Sequence, residues 1–212
     1  MRKNITLNIL FIFKRINKLS LVSFLVLFNS LYPIDPLNTS IDKGNVPQKA
    51  ALHIIGKWQI LSNNCDVLNC QFYPSCSNYM SRSIIEFGIF NGTVVGLDRI
   101  IRCNPAAIGY HLSKDNPRFY SDGRLIDLVP YDYNIRLNSK FSYYSIIPGY
   151  GRFKSGRRFD GLISSITIFS SMYIANTMII NENYLTGSLF TVIGFLFWWS
   201  DFYGSSNYHY NL

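Results

Sequence analysis

Two long apolar runs near the C-terminus set the expected architecture. Leu162 to Ile180 carries no charge for nineteen residues, about 28 Å as a helix, close to the roughly 30 Å hydrocarbon core of a bilayer. The polar turn Asn181-Glu182-Asn183 follows, then a second uncharged run, Tyr184 to Trp199. That run ends in Trp198-Trp199, an aromatic pair suited to a lipid–water boundary. Serine, threonine and Asn176 dilute the first run, so the two are expected to pack on each other as a transmembrane helical hairpin.

Upstream the pattern changes to amphipathic spacing. Ala51, Ile54, Ile55, Trp58 and Leu61 recur at helical intervals with Lys57 and Gln59 off the stripe, which fits either a core-facing or an interfacial helix. From Pro74 a second helix is signalled: Ser75 or Ser77 can cap it, and Cys76, Tyr79, Met80, Ser83, Ile84 and Phe87 share a face. Gly88 ends it and Asn91 starts a third, which runs to about Cys103 with Val94, Leu97 and Ile101 inward. Asp98, Arg99 and Arg102 are expected on its wetter side, and Pro105 stops it. The short link makes these two helices a hairpin. Tyr32 to Gln48 reads as linker and Gly109 to Asn138 as an irregular extension, both rich in turn formers. The fold class is therefore mainly α. An N-terminal segment (1–32) and a linker (33–48) precede a small helical-hairpin domain with an amphipathic first helix (49–138). The transmembrane helical hairpin (139–212) follows.

Charge sharpens this picture. Only 15% of the 212 residues are charged, against about a quarter in a soluble domain, and the net charge is +8. Arg2, Lys3, Lys14, Arg15 and Lys18 precede the apolar run Leu19 to Phe28, and Arg152, Lys154, Arg157 and Arg158 precede the C-terminal hairpin. Cations beside apolar runs favour anionic membrane lipids as partners and disfavour nucleic acid, whose binders interleave basic residues over a folded face. Leu19 to Phe28 fits an uncleaved anchor, a cleaved signal or an interfacial helix.

Four cysteines stand at 65, 70, 76 and 103. Of their gaps only the first fits the paired spacing of zinc sites. A catalytic thiol at Cys76 would need a base, and His111 has no spacing that ties it to Cys76. Small apolar packing at a helix joint is the expected role; disulfides become possible if the domain is exported. No cofactor or metal site is expected.

The motif residues carry a resemblance. The stretch NCQFYPSCSNY, with Cys70, Phe72, Pro74, Ser75, Cys76, Ser77 and Tyr79, is followed by GIFNGTVVGLDRIIRCNP. That second segment holds Gly88, Gly92, Arg99, Arg102, Cys103 and Pro105. With Asp127, Val129 and Pro130 these resemble the membrane protein insertion efficiency factor (YidD) family over about His53 to Tyr131. Two positions depart from its pattern: Asn104 stands where the family has His, and Leu128 where it has Pro. The resemblance implies a small, basic, non-enzymatic accessory factor at the bacterial inner membrane. Its neighbours would be the Sec translocon, a YidC-type insertase and nascent membrane proteins. It also favours an interfacial role for Ile54, Ile55, Trp58 and Leu61. The hairpin is extra to the family, and its IIPGYGRFKSGRRFDGL start is similar to two-span modules of unstated function.

The orientation bias of Lys and Arg places Arg152 to Arg158, and with them the domain, on the cytoplasmic side. An exported domain behind a cleaved signal is the rival. Arg82, Arg99 and Arg102 are expected to meet lipid phosphate or acidic partner surfaces. A lipid-active, membrane-perturbing protein is the alternative function.

Overall fold

Polar pairing starts the first helix, α1 (Val46–Asn63). The Asn45 side chain accepts from the Gln48 amide while the Gln48 side chain accepts from the Asn45 amide, at 3.2 and 2.8 Å. This reciprocal cap begins the helix inside the expected linker, and Pro47 is tolerated because a first-turn residue needs no amide hydrogen. The computed structural model describes residues 44–63, 70–133 and 140–207. The apolar run Leu19 to Phe28 and Cys65 lie outside the described residues.

Ser75 caps α2 (Cys76–Arg102), accepting from the Asn78 amide. Gly88, at φ 82°, interrupts the helix and divides it into two arms. A side chain at Gly92 would meet the Ser83 carbonyl and Ile84 backbone at 2.3–2.5 Å, and one at Gly96 would meet Met80. The two arms fold back as the expected hairpin and touch backbone to backbone at Gly92, while Gly96 packs against the Met80 side chain. Gln48 donates to the Ile84 carbonyl at 2.7 Å, which seats α1 on the hairpin.

The extension beyond Pro105 is less irregular than its composition suggests. It holds α3 (Ala107–Leu112) and a two-residue strand, β2 (Leu125–Ile126). β2 pairs in parallel with β1 (Phe72–Tyr73), Phe72 opposite Leu125. Two further short helices, α4 (Lys140–Tyr144) and α5 (Tyr150–Lys154), lead to α6 (Arg158–Ile180) and α7 (Tyr184–Asn207).

α6 and α7 form the expected packed hairpin, both long and apolar enough to cross a membrane. Ser164, Ile168, Ser171, Ala175, Gly187 and Gly194 are buried, whereas Ile166, Phe169, Tyr173, Leu189, Val192 and Phe195 face outward. Small residues inside and large ones outside is the packing of a pair surrounded by lipid. Gly149, at φ 78°, seats the preceding turn on α6, where a Cβ would lie 2.2 Å from the Gly161 carbonyl.

The hairpin also enters the core of the domain. Tyr203 of α7 packs with Tyr79, Val94 and Val95 of α2, and Trp199, Val129 and Tyr133 border them. Trp198, half-buried, donates to the Ser145 carbonyl at 2.9 Å. α7 thus continues past its apolar run as a domain helix.

Candidate functional site

Three features converge from the motif residues: a buried arginine, a chain of ion pairs, and a cluster of thiols. The first is built by the β1–β2 bridge. Asp127 follows β2 directly, and its amide donates to the Tyr73 carbonyl at 3.1 Å, so the bridge delivers its carboxylate to the end of α2. There Arg99 donates to the Asp127 carboxylate and, at 3.3 Å, to the Pro74 carbonyl. Its guanidinium lies 3.7 Å over the Phe72 ring and 4.7 Å from the Tyr79 ring. Phe72, Pro74, Tyr79, Arg99 and Asp127 are therefore one assembly around a single cation. Burial pushes the Asp127 carboxyl up, but Arg102 and Arg99 outweigh it and hold it well below the usual carboxylate range.

The second feature starts from the same carboxylate. Arg102 bonds Asp127 at 2.5 Å and Asp98 at 2.7 Å. Asp98 accepts from Arg152 at 2.6 Å, and Arg152 bonds Asp201 at 2.7 Å and lies 4.0 Å from Asp160. Asp160 accepts from Arg157 at 2.5 Å and from Asn104 at 2.6 Å. Asp201 also accepts from the Gly149 amide and the Ser164 hydroxyl, each at 2.8 Å. Four arginines (99, 102, 152, 157) meet four aspartates (98, 127, 160, 201), so these eight charges balance, and Lys114 approaches Asp127 at 3.9 Å from the exposed side. Burial opposes the charge on Arg152, but Asp98, Asp201 and Asp160 raise its pKa above the ordinary arginine value.

This arrangement corrects the surface roles expected for several cations. Arg99, Arg102, Arg152 and Arg157 are buried, together with Asp98. The periodicity of α2 allowed only one buried face, whereas β2 and the C-terminal hairpin cover the other. Lys154, Arg158 and Arg82 remain exposed. Gly204 was missed in the sequence, yet it makes the junction possible. A Cβ there would lie 2.1 Å from Arg152 Nη2 and 2.2 Å from Asp98 Oδ1.

The cysteines form the third feature. Cys70, Cys76 and Cys103 are half-buried, with their sulfurs within 4.8 Å of one another. Hydrogen bonds with Cys103 and then Cys76 draw the Cys70 thiol well down, while those with Cys103 and then Cys70 push the Cys76 thiol up.

Two surfaces complete the picture. On α1, Ile54, Trp58 and Leu61 are 69%, 51% and 55% exposed, while Gln48, Leu52 and Gln59 are buried. Ile55 is half-buried. Gln59 is held inward by donating to Ser77 Oγ at 3.2 Å and Asn78 Oδ1 at 2.9 Å. The helix turns glutamines toward its own domain and a tryptophan away from it. Separately, Val129 and Pro130 line an open groove of about 310 Å³ with Arg82, Ile85, Glu86 and Tyr131.

A family model described as "Putative membrane protein insertion efficiency factor" matches residues 47–112. Curated relatives of that name include one from Desulforudis audaxviator, 33% identical over 30% of this chain and 89% of the relative. One from Fervidobacterium nodosum is 34% identical over 30% of this chain and 75% of the relative. A third, from Nitrosomonas europaea, is 46% identical over 18% of this chain; the match spans about half of that relative, 54%. No solved structure matches.

Proposed function

Since the chain belongs to the membrane protein insertion efficiency factor family, we propose that it is a non-enzymatic accessory factor for membrane protein insertion. The C-terminal hairpin anchors it, and α1 presents Ile54, Trp58 and Leu61 to the bilayer interface or to a nascent span. The observation that carries this reading is the inverted helix α1, with glutamines inward and an exposed Trp-containing apolar stripe outward. Such a stripe is disfavoured in water and suits an interface where one side is apolar. The partners that fit are a nascent membrane protein and the translocon or insertase that releases it.

We infer a cytoplasmic family domain from the exposed cations. Lys154 and Arg158 are the exposed cations of the basic cluster, and they flank α6 on the domain side, whereas the Asn181–Asn183 turn lies at the far end of the hairpin. Arg152 and Arg157 are neutralised by aspartates, so the orientation bias rests on two cations and not four.

Photo-crosslinking in membranes tests the role of α1, and thiol labelling on cells tests the side. A crosslinker at Ile54 or Trp58 is expected to capture nascent membrane proteins, and one at Gln48 or Gln59 is not. Capture of lipid alone, with leakage of vesicles by the purified protein, would support the lipid-active alternative instead. A cysteine engineered at Asn183 should react with a membrane-impermeant reagent on intact cells, and one at Asp122 only after the membrane is opened.

A further inference from the structure

The helical hairpin of the family domain begins and ends on sulfur. Cys76 is the first residue of α2, Cys103 caps its last turn, and Cys70 precedes β1. Folding back at Gly88 brings Cys76 and Cys103 together, although they are 27 positions apart in sequence. The Cys70 and Cys76 sulfurs are 3.3 Å apart, and all three sulfurs lie within 4.8 Å of one another. Three thiolates bound tetrahedrally to one ion at about 2.3 Å would stand about 3.8 Å apart. The observed spacing brackets that value.

The surroundings suit thiolates. The Cys76 amide donates to Cys70 Sγ at 3.3 Å. The Gln71 side chain lies 3.8 Å from Cys103 Sγ and is oriented by donating to the Asn104 carbonyl at 2.9 Å. Donors aimed at sulfur are what the outer shell of a thiolate site supplies. The site is half-buried, leaving a side open for a fourth, exogenous ligand. Asn104 is not that ligand, because its amide oxygen accepts from the Ala106 amide at 2.9 Å and its nitrogen donates to Asp160 and the Ile101 carbonyl.

We propose that Cys70, Cys76 and Cys103 form a three-thiolate site for one thiophilic metal ion of the zinc class, with water in the fourth position. The ion ties the start of α2, its end and the segment before β1 into one unit. The site is independent of the role proposed for α1, and its test does not read insertion activity.

The test is a Co²⁺ titration of the full chain carrying Cys65→Ser, purified reduced and without oxygen in detergent. One equivalent should bind, with thiolate-to-cobalt charge-transfer absorption and tetrahedral ligand-field bands, and Zn²⁺ should displace it. Cys70→Ser, Cys76→Ser and Cys103→Ser should each weaken binding by more than about 100-fold, beyond the range of outer-shell changes. Gln71→Ala should stay within the about 10- to 100-fold range of such changes. Should a serine variant fail to fold, alkylation of the unmutated chain gives the same answer: Zn²⁺ should slow reaction of the three thiols, and a chelator should restore it. A reduced chain that gives no cobalt spectrum and no zinc protection overturns the proposal. So does affinity unchanged by serine at every one of the three sites, or a Cys70–Cys76 disulfide in a chain that takes up no metal once reduced.

Discussion

Arg99 and Arg152 are both fully buried, but they are held by different means. Arg99 sits between two aromatic rings and shares one carboxylate, Asp127, with Arg102; all its named partners belong to the family motif. Arg152 has no ring partner of that kind among the described residues and instead faces Asp98 on α2, Asp160 on α6 and Asp201 on α7. The first arginine organises the domain; the second joins the domain to its appended hairpin. Asp98 belongs to both sets, through Arg102 on one side and Arg152 on the other. The hairpin is thus wired into a carboxylate already used by the motif. A buried pair adds little over well-packed apolar groups, yet breaking one side of it is costly.

The sharpest way to break the comparison is Arg152→Ala. It leaves Asp98, Asp160 and Asp201 facing one another with their shared cation gone, and should cost about 3–5 kcal/mol. Thermal unfolding in detergent should show the domain and hairpin losing their common transition, while a loss confined to less than about 1 kcal/mol would show the junction to be solvated.

Asp127→Asn tests the other arginine. Arg102 keeps Asp98, so the expected loss is smaller, about 1.5–3 kcal/mol for charged hydrogen bonds. The pH dependence carries the sign. Asp127 has a folded pKa below its unfolded value, so its contribution is complete above the unfolded value of about 4 and declines as pH falls below it. Acid titration of stability should therefore be flatter in the asparagine variant than in the parent chain.

Gly204→Ala comes next. The added methyl would press between Arg152 and Asp98, and overpacking of this kind costs about 1–3 kcal/mol. The Arg99 assembly should be untouched, which hydrogen exchange of α2 near Arg99 against the end of α7 would resolve.

Trp58→Ser should have the smallest effect on stability, within about 0.5 kcal/mol, because the ring is exposed. Crosslinking to nascent chains from a probe at Ile54 should nevertheless fall. A large stability loss would place Trp58 in a packed contact and remove the ground for an interfacial α1.

The sequence made the helical hairpin legible because its signals are local: Ser75 at the cap, Gly88 at the break and Asn91 at the start of the second arm. The apolar hairpin was legible for the same reason, since nineteen uncharged residues need no partner to declare their medium. The start of α1 inside the expected linker is not legible, because Asn45 and Gln48 cap each other across Pro47, a pairing that composition does not display. The burial of the charged residues of α2 is not legible in the sequence, because helical periodicity reports one face, and Asp127, the partner of two of them, lies 25 and 28 residues away.

By itself the chain determined its long helices and its two-span hairpin, which follow from residues within a few turns of one another, and its family, which follows from the identity of motif residues between Cys70 and Pro130. Tertiary structure alone decided that four arginines lie inside, that α1 turns glutamines inward and tryptophan outward, and that three sulfurs meet. Periodicity and spacing measure distance along the chain. Ion pairs and thiol clusters depend on distance through space, which the fold at Gly88, the β1–β2 bridge and the cleft at Gly204 bring about.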